Sequence, residues 1–429
     1  MGKMSGGYVI TAIINNAIPI LILPVLTHHL HPGQYANITL FCFYLALANA
    51  LTGAAVQTVI AKHFFDSDKK QVAMLVGNSL LITMVFSLAT MLLIILSYPF
   101  LHRYLNLSLS WLVLIPITSF AFNSFALGLT VIRNEKKVLL FSKYQIGNSI
   151  VNVVISVVLV AFLFWGWQGR VWGIILANVI SAVLMYFYLK SAGYVSFAIS
   201  RKLIRSILSI LVPLMPSSFQ LIIISQVGIF FIQLYFSKEL LGVYAVAFQV
   251  AFAIRLLDST LSLSWAPYLY EQLAKPNAIN RLYLARMLLA LYVVMFMGVV
   301  FINVFSGVII ALLASKPYWG AREFIPWFTI GYFFHGLYVF LMPFLIKHGK
   351  QRYISVVSIL MMIITIALNV FLSKAFGYIG IAYAFTIVYF VMFMAFAWKA
   401  QRVFPLPWLR AFNIWDQGKT RSDKVSSHG

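Results

Sequence analysis

The sequence predicts an all-α polytopic membrane protein of about twelve transmembrane helices, arranged as two parallel six-helix repeats. Three observations predict it: an apolar composition, basic residues confined to alternate connections, and landmarks of the first half that recur in the second. Hydrophobic residues make up 62% of the 429-residue chain and charged residues 9%, with a mean hydropathy of +0.94. A soluble domain carries roughly 25% charged residues, so this chain cannot cover itself with polar surface in water.

The spans fall at 8–27, 35–60, 74–98, 110–132, 144–165, 171–189, 207–234, 240–264, 284–313, 324–346, 353–373 and 378–398. Lipid leaves no water for the backbone, so each must satisfy its own hydrogen bonds as a helix. A β-barrel would show segments of about ten residues with alternating polarity. The first stretch continues from Ile10 to Leu26 in the pattern of the later spans, which reads as a span rather than a cleaved signal peptide. The single cysteine, Cys42, lies inside the second span; it allows no disulfide framework and reads as a small core residue. Connections 190–206 and 265–283 are long enough for a short interfacial helix. After Pro405, Trp408, Leu409, Phe412 and Trp415 alternate with Arg410, a mixture suited to the headgroup layer, and residues beyond Gly418 are expected to be disordered.

The basic residues give the orientation. With the N-terminus inside, twenty-four of the 31 Lys and Arg fall on cytoplasmic segments, from Lys3 through Lys62, Arg133 and Lys347 to the tail. Only Arg103, Arg170, Lys238, Lys316, Arg322 and Lys374 fall on the opposite side, and Arg255 falls within a span. Retention of Lys and Arg in the cytoplasm accounts for the split and places both termini on the cytoplasmic side of an inner membrane. The formal charge of +22 is then a topology signal with an anionic-lipid component. Spread over seven short segments, it argues against nucleic-acid binding.

Tyr35-Ala36 opens the second span and Leu241-Gly242 the eighth; Ile115-Pro116 and Ile325-Pro326 open the fourth and tenth. Gly173-x-x-x-Ala177 and Gly380-x-x-x-Ala384 open the sixth and twelfth. The common order points to a duplication, with lobes at 1–195 and 196–402 and a cytoplasmic tail at 403–429. The glycine–alanine pairs read as close helix packing. Each lobe's lead span carries two prolines, Pro19 and Pro24, then Pro213 and Pro216. Proline removes a helix hydrogen bond, so both helices are expected to be bent or locally unwound and to gate a central cavity.

The eighth span holds the leading site candidate. Arg255, Asp258, Ser259 and Ser262 recur at i, i+3, i+4 and i+7, on one helical face. An arginine at mid-membrane costs about 2.5–3.5 kcal/mol on insertion scales, so this face is expected to meet a cavity or another helix. There Arg255 would contact phosphate through its fork of donors, with Asp258 holding it or titrating; a self-neutralising pair that only shapes the bundle is the bland alternative. Asn15, Asn49, Asn152, Gln226 and His335 add uncharged polar groups suited to hydroxyl-rich substrate, although any one of them alone more often bonds a neighbouring helix. His28, His29 and His31 lack both helical ligand spacing and a nearby carboxylate, so no metal is expected. With no Walker A loop and no acidic pair in an outer loop, neither enzyme activity nor a cofactor is expected.

Three stretches carry a family resemblance: "LTHHLHPGQYANI" after the first span, "SWAPYLYEQ" closing the eighth, and "NVFLSKAFGYIGIAYAFTIVYF" across the last two. The last holds an asparagine, short loop, glycine-x-x-glycine and alanine pattern at Asn369, Gly377, Gly380 and Ala384. Over roughly residues 5 to 400 the chain resembles the polysaccharide-exporter and O-antigen flippase (Wzx-type) family of the multidrug, oligosaccharidyl-lipid and polysaccharide exporter superfamily. The resemblance implies two six-helix lobes around a cationic cavity and a lipid-linked oligosaccharide on undecaprenyl diphosphate as substrate. Transport would be by alternating access with ion-gradient coupling, for surface polysaccharides such as O-antigen, lipopolysaccharide or exopolysaccharide. Membrane lipids, a polysaccharide polymerase and a chain-length regulator are the expected partners. The chain departs from the family in having few other obvious cavity cations. The rival readings are a multidrug cation antiporter, expected to carry acidic residues in the first or seventh span, and a membrane polymerase or glycosyltransferase, expected to carry a large outer loop.

Overall fold

The computed structural model describes residues 7, 11, 14–15, 17–53, 56–273 and 281–412. Most of the first span before Ala17, part of the 265–283 connection and the tail from Asn413, Trp415 included, lie outside the described residues.

Apart from short connections the described chain is helical, with no strand among the described residues. Its helices are α1 (Ala17–His29), α2 (Pro32–Thr52), α3 (Val56–His63), α4 (Lys69–Leu105), α5 (Leu109–Asn134), α6 (Val138–Phe162) and α7 (Gly166–Ser191). After a connection at 192–200 come α8 (Arg201–Tyr235), α9 (Lys238–Leu273), α10 (Arg281–Val304), α11 (Ser306–Leu313), α12 (Ile325–Lys347), α13 (Gln351–Phe376), α14 (Ile379–Val403) and α15 (Trp408–Phe412). Among the described residues, eleven helices are long and apolar enough to cross a membrane, and α1 adds the described part of a shorter apolar one. The chain is therefore an all-α polytopic membrane protein. Its outer faces agree: Leu88, Leu92, Leu93, Leu96 and Phe100 of α4 are all exposed, a stripe that water would penalise and acyl chains cover.

Two expected spans are interrupted. The second breaks at Gly53, whose φ of +148° lies where only glycine sits without strain, and this separates α2 from α3. The ninth breaks at Phe305, between α10 and α11. The lead helices also differ from one another. A turn at Ile22 interrupts α1 between Pro19 and Pro24, whereas α8 remains helical through Pro213 and Pro216, so the expected unwinding is absent there. Beside Pro216, the Ser217 hydroxyl donates to the Leu214 carbonyl of its own helix at 2.7 Å. The 190–206 connection holds no separate helix; α8 begins at Arg201, capped by Ser200.

The chain forms two compact units. Unit 1 comprises Met1–Val250, Ser306–Ile325 and Met362–Phe385; unit 2 comprises Ala251–Phe305, Pro326–Met361 and Thr386–Gly429.

Within unit 1, one end of the helices is tied together. Thr27 Oγ1 donates to the Leu313 carbonyl at 3.0 Å and Tyr318 Oη to the Leu30 carbonyl at 2.8 Å. Tyr35 Oη donates to Gln249 Oε1 at 2.6 Å, and the Gln249 amide donates to the Pro19 carbonyl. Near the start of α9, a Cβ on Gly242 would lie 2.0 Å from the Pro32 carbonyl oxygen, so α2 and α9 cross in backbone contact. At the other end, the 192–200 connection lies along α4. Asn78 Nδ2 donates to the Ala198 carbonyl at 2.9 Å, and a Cβ on Gly77 would fall 1.9 Å from the Ser196 carbonyl oxygen.

Candidate functional site

In unit 2, α9 and α12 bring three ionisable side chains together. Arg255 Nη1 lies 2.5 Å from Asp258 Oδ1, an i,i+3 pair on α9. His335 Nδ1, on α12, lies 2.6 Å from the other oxygen, Asp258 Oδ2. Asp258 is wholly buried, His335 nearly so, and the Arg255 side chain is 35% exposed. A carboxylate with both oxygens on nitrogen donors is fully satisfied, which makes its burial tolerable. The approach depends on Gly336: a Cβ there would lie 2.6 Å from Met295 Cε and 3.1 Å from Asp258 Cβ. Trp265 Nε1, one turn past Ser262, donates to the Phe340 carbonyl at 2.8 Å and ties α9 to α12 again.

Aromatic rings close the cluster. The His335 ring lies 4.9 Å from Tyr338 and 5.1 Å from Tyr389, and these two tyrosines stack at 6.3 Å. The Tyr332 ring stands 6.4 Å from the imidazole. With a neutral imidazole the Arg255–Asp258–His335 cluster carries no net charge; a proton on His335 makes it +1. Of the other predicted face residues, Ser259 donates to its own helix at the Leu256 carbonyl, and the buried Ser262 hydroxyl has no partner among the described residues.

The predicted polar residues of the first half lie in unit 1, at separate points. Ser119 Oγ donates to Asn49 Oδ1 at 2.7 Å and lies 2.5 Å from Thr52 Oγ1, which accepts from Asn123 Nδ2 at 2.9 Å. This chain joins α2 to α5. Ser149 donates to Asn15. Gln226 is half-buried on α8 with no hydrogen bond among the described residues. Asn152 accepts from Arg170 Nη1 at 2.5 Å, and Ser156 Oγ accepts from the same nitrogen at 2.7 Å.

Residues 3–273 match the family described as "Polysaccharide biosynthesis protein". The chain belongs to this family. It is 24% identical over 369 residues to an uncharacterized membrane protein of Haemophilus influenzae, covering 83% of this chain and 87% of that one. It is 22% identical over 396 residues to the "Lsg locus putative protein 1" of the same organism, covering 90% and 96%. Among solved structures, it is similar to an inward-facing multidrug resistance MATE family transporter of the MOP superfamily, with a TM-score of 0.72, 15% identity and coverage of 94% and 99%. The lipid II flippase MurJ in an inward closed conformation gives a TM-score of 0.71, 14% identity and coverage of 96% and 89%. The fold is thus the one these solved structures share, and the chain is a polytopic membrane protein of the polysaccharide biosynthesis family.

Two placements correct the sequence reading. Arg170, assigned to an outer connection, lies inside α7 and is half-buried. Only one short turn at 163–165 precedes α7, so the helix restarts before the arginine although the apolar run does not. Cys42, expected in the core, is exposed. The alternating apolar pattern of α2 marks a buried helix without saying whether its inner face meets side chains or water. Sequence reading also missed Tyr338 and Tyr389. Tyr332, His335 and Tyr338 recur every three residues along α12, a spacing that marks one helical face.

Proposed function

We propose that this protein flips a lipid-linked oligosaccharide, carried on a polyprenyl diphosphate, across the bacterial inner membrane for surface polysaccharide synthesis. The observation that carries the reading is the Arg255–Asp258–His335 cluster, charged groups held inside membrane helices of a polysaccharide biosynthesis family member. Each sugar hydroxyl would cost on the order of 4–8 kcal/mol to carry bare into hydrocarbon, so the glycan needs a polar path while its polyprenyl tail stays in lipid. Arg255 meets the diphosphate, and the amides and hydroxyls of Asn15, Asn49, Asn152, Gln226, Ser259 and Ser262 serve the sugars. The lobes, 1–195 and 196–402, alternate access, with Pro19, Pro24, Pro213 and Pro216 in their lead helices and the 403–429 tail in the cytoplasm. No catalytic step is part of the reading.

The coupling ion in this reading is a proton. Both Asp258 oxygens face nitrogen donors, whereas a hard cation needs about six oxygens; His335 can take a proton on Nε2 without breaking its bond to Asp258. A polymerase and a chain-length regulator would receive the product. Two sequence facts count against the antiporter: neither 1–30 nor 201–235 holds an Asp or Glu.

The test is Arg255→Ala in cells. Surface glycan should be lost and lipid-linked precursor should remain on the cytoplasmic leaflet, with the protein present at normal level. Glycan output equal to wild type would overturn the site.

A further inference from the structure

We propose that Arg170 anchors a second oxyanion site of the phosphate class, beside α2, α6 and α7 in unit 1. Arg255 and Arg170, each on a helix long and apolar enough to cross a membrane, differ in their partners. Arg255 is neutralised by Asp258. Arg170 has only uncharged acceptors, Asn152 Oδ1 and Ser156 Oγ, both on Nη1, and no carboxylate among the described residues pairs with it. A guanidinium stays protonated in a protein, and an unneutralised charge inside a membrane protein calls for an anion or water. Two acceptors on one nitrogen fix the plane of the group and leave Nη2 and Nε as a fork, the geometry that takes phosphate oxygens in pairs.

The local backbone is built around this arrangement. Gly173 lies one turn beyond Arg170, and a Cβ there would meet Ser156 Oγ at 2.0 Å. Any larger residue would displace the hydroxyl that steadies the guanidinium. The site is also reachable. Arg170 is half-buried and Cys42 is exposed, and the two lie within electrostatic reach of each other and of Tyr35. Both side chains therefore have surface open to a small anion or reagent. Arg170 stands in the second turn of α7, next to a connection on the outer side by the basic-residue orientation. The site lies where a headgroup moving outward would arrive. The ligand class rests on the flippase reading; the existence of an anion site does not.

Cys42, the single cysteine, is a built-in reporter. In purified full-length protein, its modification by an anionic methanethiosulfonate is compared with that by a cationic one. The wild type should favour the anionic reagent about tenfold more than Arg170→Gln does, the scale of one nearby charge partly shielded by protein. Farnesyl diphosphate should slow modification in the wild type and not in Arg170→Gln. Asn152→Asp, which gives the guanidinium a carboxylate, should lose the preference as well. Neutral N-ethylmaleimide should react equally with a folded protein of each kind, and where Arg170→Gln fails that control, Asn152→Asp decides. Inorganic pyrophosphate runs alongside: equal protection means the headgroup alone is read, and protection by farnesyl diphosphate only means that the lipid-borne form is required. An anionic preference or a protection that persists in the folded variants, or is missing from the wild type, overturns the proposal. No glycan is measured, so failure here leaves the flippase reading standing, and failure of that reading leaves the anion binding measured.

Discussion

His335 Nδ1 on α12 sits 2.6 Å from Asp258 Oδ2 on α9, and the other oxygen of the same carboxylate holds Arg255 at 2.5 Å. Asp258 is therefore the shared centre of the cluster. An imidazole and a guanidinium from different sequence regions both depend on its charge.

Asp258→Asn should consequently do more damage than removing Asp258 and Arg255 together. It leaves Arg255 without a counter-charge inside the membrane. Breaking a buried pair from one side costs about 3–5 kcal/mol, and the low end applies here because 35% of the Arg255 side chain is open. Thermal unfolding in detergent should show a lower midpoint for Asp258→Asn than for Arg255→Met combined with Asp258→Leu, in which neither charge remains. A single variant as stable as the double one would mean that the pair is not held as a buried unit.

Replacing His335 separates charge from packing. Gln keeps an amide that can donate to Asp258 but takes up no proton. The titratable and charged groups around His335 are Asp258 and Arg255 on α9, Tyr332 and Tyr338 on α12, and Tyr389 on α14. Protonation adds one positive charge beside Arg255, so binding of a polyprenyl diphosphate to purified protein should tighten as pH falls. In His335→Gln that slope should flatten while affinity at high pH stays close to wild type. A variant retaining the full slope would move the titrating group elsewhere.

How far the sequence carries depends on the kind of signal. Hydropathy found the spans because burial in lipid requires about 20 apolar residues whatever packs against them. Arg255 and Asp258 were visible because a charge inside such a span is rare and must have a reason. Arg170 was not, since a charge a few residues from a span's end reads equally as loop or helix until the turn at 163–165 is seen to be short. His335 could be named as a polar group but not paired, because its partner lies 77 positions away. The break at Gly53 and the continuity of α8 through Pro213 and Pro216 show the same limit: glycine and proline mark where a helix can yield, and tertiary packing decides whether it does.

The crossing of α2 and α9 makes a steric prediction. A Cβ on Gly242 would lie 2.0 Å from the Pro32 carbonyl, which belongs to backbone and cannot rotate away. Gly242→Val should therefore cost at least the 1–3 kcal/mol typical of overpacking (about that order), seen as a lower detergent melting point and less protein in the membrane. Gly147→Ala on α6 is the control: nothing lies within 4 Å of its Cβ. Helix propensity favours alanine there by about 1 kcal/mol, so that variant should melt no lower than wild type. Equal behaviour of the two would remove the close crossing.

Orientation can be read from two turns. Lys136 and Phe164 both have positive φ, at 61° and 55°, and lie at opposite ends of α6. The turn at Lys136 is held by its own charges: Lys137 Nζ lies 3.1 Å from Glu135, whose carboxylate also accepts from Tyr194 Oη at 2.9 Å. Glu135 beside it raises the Lys137 pKa, so this ammonium stays charged on whichever side it lies. A charged, basic turn is the kind retained in the cytoplasm, whereas Phe164, 77% exposed beside Trp165, suits the outer interface. A short epitope inserted after Phe164 should bind antibody on spheroplasts. One inserted after Lys136 should bind only after permeabilisation. The reverse pattern would invert the protein in the membrane and turn the Arg170 site toward the cytoplasm.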